Sequence, residues 1–265
     1  MLTLREAASA VGGRLIGATP DAVFDAVSTD SRSIERGCLF VALRGERFDG
    51  HAFALAAIDA GAVGAIVDRA SELAIRHAQA PLIEVDDTKA ALGALAADWR
   101  GRFTIPIIGI AGSNGKTTTK EMTASILRAH FGAEGTLATQ GNLNNDIGLP
   151  LTLLRLRASH RAAAIEVGMN RPGETAHLAG FARPTIALVN NAQREHQEFM
   201  KSVADVAAEH GALFASLPAG GTAVINADDA FADLWRDIAA DRRAVVRSFG
   251  LGASANVRGT ARIES

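Results

Sequence analysis

The chain has 265 residues, 48% of them hydrophobic, a formal charge of −2 and one cysteine. That length holds one large domain or two smaller ones, with enough apolar residues for substantial cores. The near-neutral charge gives no electrostatic footprint for nucleic acid, and a single cysteine excludes an intrachain disulfide and a cysteine-only metal site.

At the N-terminus, Arg5 and Glu6 interrupt any signal-like apolar run, and no stretch reaches the ~20 apolar residues of a membrane span. A cytoplasmic protein without membrane insertion is expected. Thr3-Leu4-Arg5-Glu6 reads as a capping box that opens a helix, and Gly12-Gly13 closes it. Apolar runs at 38–43, 63–67 and 82–85 read as strands, with a helix near 52–60 stopped by Gly61. Cys38 lies in the first of these runs and reads as a buried, inert thiol. Residues 1–85 thus form a small α/β unit, and a helix over 88–102 carries the chain onward.

Over 86–265 strands and helices alternate. Strands are predicted at Ile105–Ala111, Ala162–Val167, Thr185–Val189 and Thr222–Asn226, and a last one at Val257–Ile263. Helices are predicted at Lys116–Phe131, with Met122, Ile126 and Leu127 on one face, and near 202–216 and 229–239. The fold class is α/β: a small N-terminal unit, then a mostly parallel sheet with helices on both faces.

Ligands of such sheets bind beyond the carboxyl ends of the strands. There stand Gly112-Ser113-Asn114-Gly115-Lys116-Thr117, then Glu166, then Asn190-Asn191 with His196 beyond, then Asn226-Ala227-Asp228-Asp229. Glycines let backbone N–H groups turn toward phosphate oxygens, and the following helix points its positive end at the same anion. Lys116 is placed to reach the β- and γ-phosphates and the Thr117 hydroxyl to hold Mg²⁺. The generic phosphate-loop pattern is met only in its Gly-Lys-Thr half, because Ile110 stands where it wants its first glycine. Glu166, at an apolar strand end, needs either a cation or a salt bridge and solvent. His196 by itself reads as a surface histidine, and one of Asp228 and Asp229 as a helix cap.

The run Gly109-Ile110-Ala111-Gly112-Ser113-Asn114-Gly115-Lys116-Thr117-Thr118 resembles the ATP loop of the Mur ligases. The segment Gly141-Asn142-Leu143-Asn144-Asn145-Asp146-Ile147-Gly148-Leu149-Pro150, with Lys120-Glu121-Met122 and Val189-Asn190-Asn191, is similar to the member that adds D-alanyl-D-alanine. Thr29-Asp30-Ser31-Arg32, Leu39–Gly45 and Phe48-Asp49-Gly50-His51 resemble that family's UDP-substrate domain. The resemblance implies a UDP-substrate-binding domain at 1–85 and an incomplete ATP-binding domain at 86–265. It implies ATP and Mg²⁺ as cofactors, and UDP-N-acetylmuramoyl-tripeptide and D-alanyl-D-alanine as partners of a monomeric enzyme in peptidoglycan synthesis.

The resemblance also implies roles. Lys116, Glu166 and His196 are catalytic; Thr117, Glu166 and His196 face the metals. Gly112, Ser113, Asn114, Gly115, Lys116, Thr117, Thr118 and Asn226 hold the nucleotide. Ser31, Arg32, Asp49, Gly50, His51, Asn144 and Asn145 hold the substrate.

Two departures stand out. The family places a carbamylated lysine where Val206–Phe214 puts His210, and an imidazole supplies no bidentate anion. One helical step turns the adjacent Glu209 about 100° away. The second metal is then expected to have fewer protein ligands, or His210 as a direct or water-mediated one. The family's C-terminal Rossmann-like domain is expected to be missing, which predicts a fragment with little ligation of its own. The rival readings are another Mur-type or folylpolyglutamate-like ligase, a phosphate-loop kinase or NTPase, and a nucleotide-binding module without ligation.

Overall fold

The structure is a computed structural model and describes residues 1–17, 19–46 and 48–260. The chain divides into two compact units, Met1–Arg102 with Leu153–Arg155, and Phe103–Thr152 with Leu156–Ser265.

In the first unit, β1 (Leu2–Thr3) leads into α1 (Leu4–Val11). The capping box is complete: the Thr3 hydroxyl accepts from Glu6 N at 3.1 Å, and the Glu6 carboxylate accepts from Thr3 N at 2.8 Å. Gly12, at φ 63°, turns the helix off in the left-handed region. Then follow β2 (Arg14–Ile16), β3 (Val23–Phe24), β4 (Ala26–Ser28), β5 (Cys38–Val41), a 3-10 turn at Gly50–Phe53, α2 (Ala54–Asp59), β6 (Gly64–Asp68), α3 (Leu73–Arg76), β7 (Leu82–Val85) and α4 (Thr88–Gly101). The five-stranded sheet runs β2-β7-β6-β5-β4, with only the β2–β7 pair antiparallel. Phe40, Val67, Leu82 and Ala54 belong to its core. Cys38 is buried there, and desolvation pushes its thiol pKa up, which suits packing rather than nucleophilic attack. The unit extends past the expected boundary at 85 because α4 packs on α1 and β6.

The second unit comprises β8 (Ile107–Ala111), α5 (Lys116–Phe131), β9 (Thr136–Ala138), α6 (Gly148–Leu153), β10 (Ala162–Glu166), α7 (Glu174–Ala182), β11 (Ile186–Val189), α8 (Val203–Ala215), β12 (Thr222–Asn226), α9 (Ala232–Asp241), β13 (Val245–Gly250) and β14 (Val257–Arg258). Leu153, at the end of α6, is grouped with the first unit. The sheet order is β14-β13-β12-β11-β8-β10-β9, and every described pairing in it is parallel. The chain leaves β8 for the far strand β9, returns through β10, and then crosses to β11. This reversal puts a topological switch point at β8, where open α/β sheets bind ligands. Pairing of Glu166 with Ile110 and of Val189 with Ala111 brings the strand ends level at one edge.

Several expectations are corrected. Met122 and Ile126 are exposed, and α5 turns Lys120 and Ala124 inward instead, with only Leu127 of the predicted stripe packed on the core. Helix α7 and strands β9 and β13 carry no strong periodic signal and were not expected. The last predicted strand is seen as Val257–Arg258, while positions 261–263 lie outside the described residues. Among the described residues no helix is long and apolar enough to cross a membrane.

Candidate functional site

The loop from Gly112 to Lys116 is shaped by its glycines. Gly112 has φ +130° and Gly115 φ +76°, and a Cβ on Gly112 would lie 3.0 Å from the backbone N of Asn190. Both positions therefore call for glycine. Gly115 leads straight into α5 with no side-chain cap, so the first amides of that helix are directed at whatever the loop encloses. Lys116 is half-buried, and its Nζ donates to the carbonyls of Gly112 and Ser113 at 2.5 and 3.1 Å. Thr117 and Thr118 are exposed on the first turn.

The loop after β11 braces this cradle. Asn190 donates to Asn114 O at 3.2 Å and accepts from the Thr119 hydroxyl at 3.1 Å. Asn191 Oδ1 accepts from Asn114 N at 3.0 Å, and Gln193 Oε1 from Asn114 Nδ2 at 2.8 Å. From β12, Asn226 Nδ2 donates to Asn190 O at 2.8 Å. The predicted Asn226 therefore joins the same network, and Gln193 is a member that the sequence did not single out.

On the other side of β8, Glu166 is 2% exposed. Its Oε1 accepts from Asn144 Nδ2 at 2.7 Å, and Asn144 O accepts from Gly168 N at 2.9 Å. A Cβ on Gly168 would lie 2.8 Å from Asn144 Oδ1, so glycine admits the asparagine here. Glu166 Oε2 is buried with no hydrogen-bond partner. Such an oxygen is costly unless something positive meets it. A hard divalent cation fits that donor, and its remaining positions suit phosphate oxygens, a hydroxyl such as that of Thr117, and water. Among the described residues no group of three or more His, Cys, Asp or Glu side chains is assembled to hold a metal. Asn145 is used locally, its Oδ1 accepting from Gly148 N at 2.8 Å to start α6.

His196 sits in the left-handed region at φ 48°, with its Nε2 3.8 Å from Glu195 Oε2. His210 is 1% exposed on α8, and its Nε2 lies 2.8 Å from Glu195 Oε1 and 3.4 Å from the Ser113 hydroxyl. Of the two expectations, a second metal with fewer protein ligands or His210 as a direct or water-mediated ligand, the contact seen here is between His210 and a carboxylate. Burial works against ionisation of Glu195. Hydrogen bonds from His210 and Ser113, aided by the charges of His210 and Lys116, nevertheless hold its carboxyl below the usual range. Glu209 faces elsewhere, as its helical angle requires, and accepts from Gly173 N and Thr175 N at 2.8 Å each to cap α7. Neither Asp228 nor Asp229 is the N-cap of α9, which is Phe231; Asp229 accepts from Phe231 N and Ala192 N, and Asp228 from Leu251 N and Gly252 N.

In the first unit, Arg32 is exposed and clamps both oxygens of Asp30 at 2.8 and 2.7 Å, and Ser31 beside it is half-buried. Asp49 accepts from His51 N at 3.0 Å and meets His51 Nδ1 at 2.6 Å, while His51 Nε2 accepts from Asp68 N at 2.9 Å. A Cβ on Gly50 would meet Leu43 O at 2.8 Å. Arg44 ties Asp49 and Asp68 together. Both nitrogens of the predicted substrate residue His51 are thus engaged inside the fold, and the exposed edge of the turn belongs to Asp49 and Arg44.

A phosphate-type loop at the switch point of a parallel sheet, flanked by an ordered carboxylate and asparagines, defines a nucleotide-site architecture. Residues 110–265 match the Mur ligase middle domain, and residues 23–100 match the Mur ligase family catalytic domain. The chain belongs to the Mur ligase family. It is 43% identical over 242 residues to UDP-N-acetylmuramoyl-tripeptide–D-alanyl-D-alanine ligase of Escherichia coli, covering 91% of this chain and 51% of that protein. A crystal structure of MurF from Acinetobacter baumannii superposes with TM-score 0.84 at 34% identity, over 94% of this chain and 53% of that one. A MurF ligase from Thermotoga maritima, solved in complex with ADP, gives TM-score 0.73 at 29% identity, over 86% of this chain and 51% of that one. The chain spans about half the length of the curated relatives it matches.

Proposed function

We propose that this chain is the substrate- and nucleotide-binding part of an ATP-dependent, cytoplasmic ligase that adds D-alanyl-D-alanine to UDP-N-acetylmuramoyl-tripeptide for peptidoglycan synthesis. The observation that carries the reading is the buried Glu166 oxygen without a partner, one strand away from the Gly112–Lys116 loop. The similarity to the Escherichia coli ligase supports the choice of substrates.

A carboxylate is a poor electrophile. ATP gives its γ-phosphoryl group to the terminal carboxylate of the tripeptide and leaves as ADP. The dipeptide amine then attacks the acyl phosphate, and phosphate departs as the amide forms. In this chain the loop amides and the first turn of α5 bind phosphate oxygens, and Lys116 exchanges its loop carbonyls for the transferred group. Glu166 and Thr117 would hold Mg²⁺, which supplies positive charge for the transferred phosphoryl, with His196 as a further ligand. Asn144 fixes the Glu166 carboxylate, and Asn226 fixes the loop after β11. The Asp49-Gly50-His51 turn, Ser31 and Arg32 serve the UDP end, with His51 shaping the turn and Asp49 and Arg44 facing outward.

Phosphate release by the full-length gene product tests this reading, with ATP, tripeptide and dipeptide omitted in turn. Release that requires all three is expected. Release without the dipeptide sinks the ligase reading in favour of a simple NTPase.

A further inference from the structure

The β8 loop is flanked on both sides. Glu166 ends β10 on one side, and Glu195 lies in the loop after β11 on the other. Glu195 reaches in rather than out: its side chain is 15% exposed, and its Oε1 receives the Ser113 hydroxyl at 2.8 Å and His210 Nε2 at 2.8 Å. Both contacts fall on one oxygen, whereas Oε2 is approached by His196 Nε2 at 3.8 Å. Glu195 also borders a cavity of about 400 Å³ with Arg194, Gln197 and Lys201.

Among the described residues the polar contacts of His210 are Glu195 and, at 3.4 Å, the Ser113 hydroxyl. Its Nδ1 is buried without a partner, and a proton there would be an unpaired buried donor. The other ring nitrogen, Nε2, faces Glu195 Oε1 at 2.8 Å. Fixing one oxygen of a carboxylate by hydrogen bonds beside a phosphate loop is how proteins orient an anionic ligand for a cation.

We propose that Glu195 is a second carboxylate for the cation that accompanies the nucleotide phosphates, and that His210 is the positioning residue that fixes it. The proposal rests on the nucleotide reading above. It assigns a role to Glu195, and it gives His210 an outer role in place of ligation.

The test is calorimetric titration of the 265-residue chain with ATP, with and without Mg²⁺, on wild type, Glu195→Gln, His210→Leu and His210→Gln. The readout is the ratio of the two affinities. In Glu195→Gln this ratio should fall on the order of tenfold or more. Affinity for ATP without Mg²⁺ should hold or rise, because a negative charge near the phosphates has gone. His210→Leu should show the same loss, and His210→Gln, which keeps a donor, should restore part of it. A merely structural role would weaken both affinities equally and would overturn the proposal, as would an unchanged ratio in Glu195→Gln. Thermal unfolding of each variant identifies misfolded protein. If Glu195→Gln is misfolded, the contrast between His210→Leu and His210→Gln decides, and equal ratios in those two overturn the proposal. Wild type that binds no ATP under either condition defeats the nucleotide reading itself, and the proposal with it.

Discussion

His51 in the first unit and His210 in the second are both buried, but their surroundings are opposite. His51 is closed off: one nitrogen meets Asp49, the other takes the amide of Asp68, and Arg44 ties the two aspartates together. His210 is open: one nitrogen is unpaired, and the other meets a carboxylate that touches the phosphate loop. A satisfied polar network mainly fixes shape, whereas a partly satisfied one carries a cost that a ligand can relieve. The same contrast separates the Asp49-Gly50-His51 turn from the sheet edge around Glu166.

The largest effect should come from the open side. Lys116→Ala in the full-length gene product should cut ligation by on the order of 10²–10³-fold or more, because it removes charge aimed at the transferred group. Its unfolding temperature should stay near wild type, since the hydrogen bonds of Lys116, to the carbonyls of Gly112 and Ser113, stay within the loop. A rate within tenfold of wild type would break the comparison at its strongest point.

Glu209→Ala comes next and separates structure from chemistry within one helix. It leaves the amides of Gly173 and Thr175 without their acceptor, a loss of about 2 kcal/mol in stability. ATP affinity should not change. Denaturant unfolding followed by calorimetry checks both, and a loss of ATP affinity without a loss of stability would assign Glu209 to the site.

Much of this was legible in the sequence, for local reasons. The α1 capping box and its glycine stop lie within ten residues of each other, and the phosphate loop is one continuous run. What could not be read depends on distant partners. Helix α7 starts at Gly173 without a side-chain cap from its own neighbours, and Glu209 supplies the acceptor from α8. The apolar spacing on α5 suggested the wrong face, because Ala124 fits close to the sheet while Met122 and Ile126 do not face it. Glu195 lay in an ordinary charged stretch, Arg194-Glu195-His196-Gln197-Glu198, and only the placement of His210 and Ser113 distinguishes it. His51 was read as a substrate residue from its motif, and in the fold its ring also fastens the turn to β6.

A smaller effect follows for that closed network. His51→Leu should speed hydrogen exchange at the Asp68 amide, by an amount corresponding to roughly 1–3 kcal/mol, because that donor loses its buried acceptor. ATP affinity should be unaffected. Unchanged exchange at Asp68 would mean that the network is not closed in solution.

The smallest effect concerns Arg32. Side-chain hydrogen bonds from Arg32, backed by its backbone N–H, hold the Asp30 carboxyl at about 2, against an ordinary value of 3.8. A depressed carboxylate pKa contributes stability above its unfolded value, which is lost as pH falls from about 4 through 2. An NMR titration should find the Asp30 midpoint near the lower end of that window, and Arg32→Ala should return it toward 3.8. A wild-type midpoint already near 3.8 would mean that Arg32 is free for other partners.

The central claim, that the second unit's sheet edge is the nucleotide site and the first unit's turn is not, is tested most directly by backbone amide chemical shifts. On addition of ATP and Mg²⁺ to the isotopically labelled chain, the amides of residues 112–118, 190–195 and 226 should move, while those of Asp49, His51 and Asp68 stay in place. Shifts confined to the 49–68 region, or none in the Gly112–Thr118 loop at saturating ATP, would contradict it.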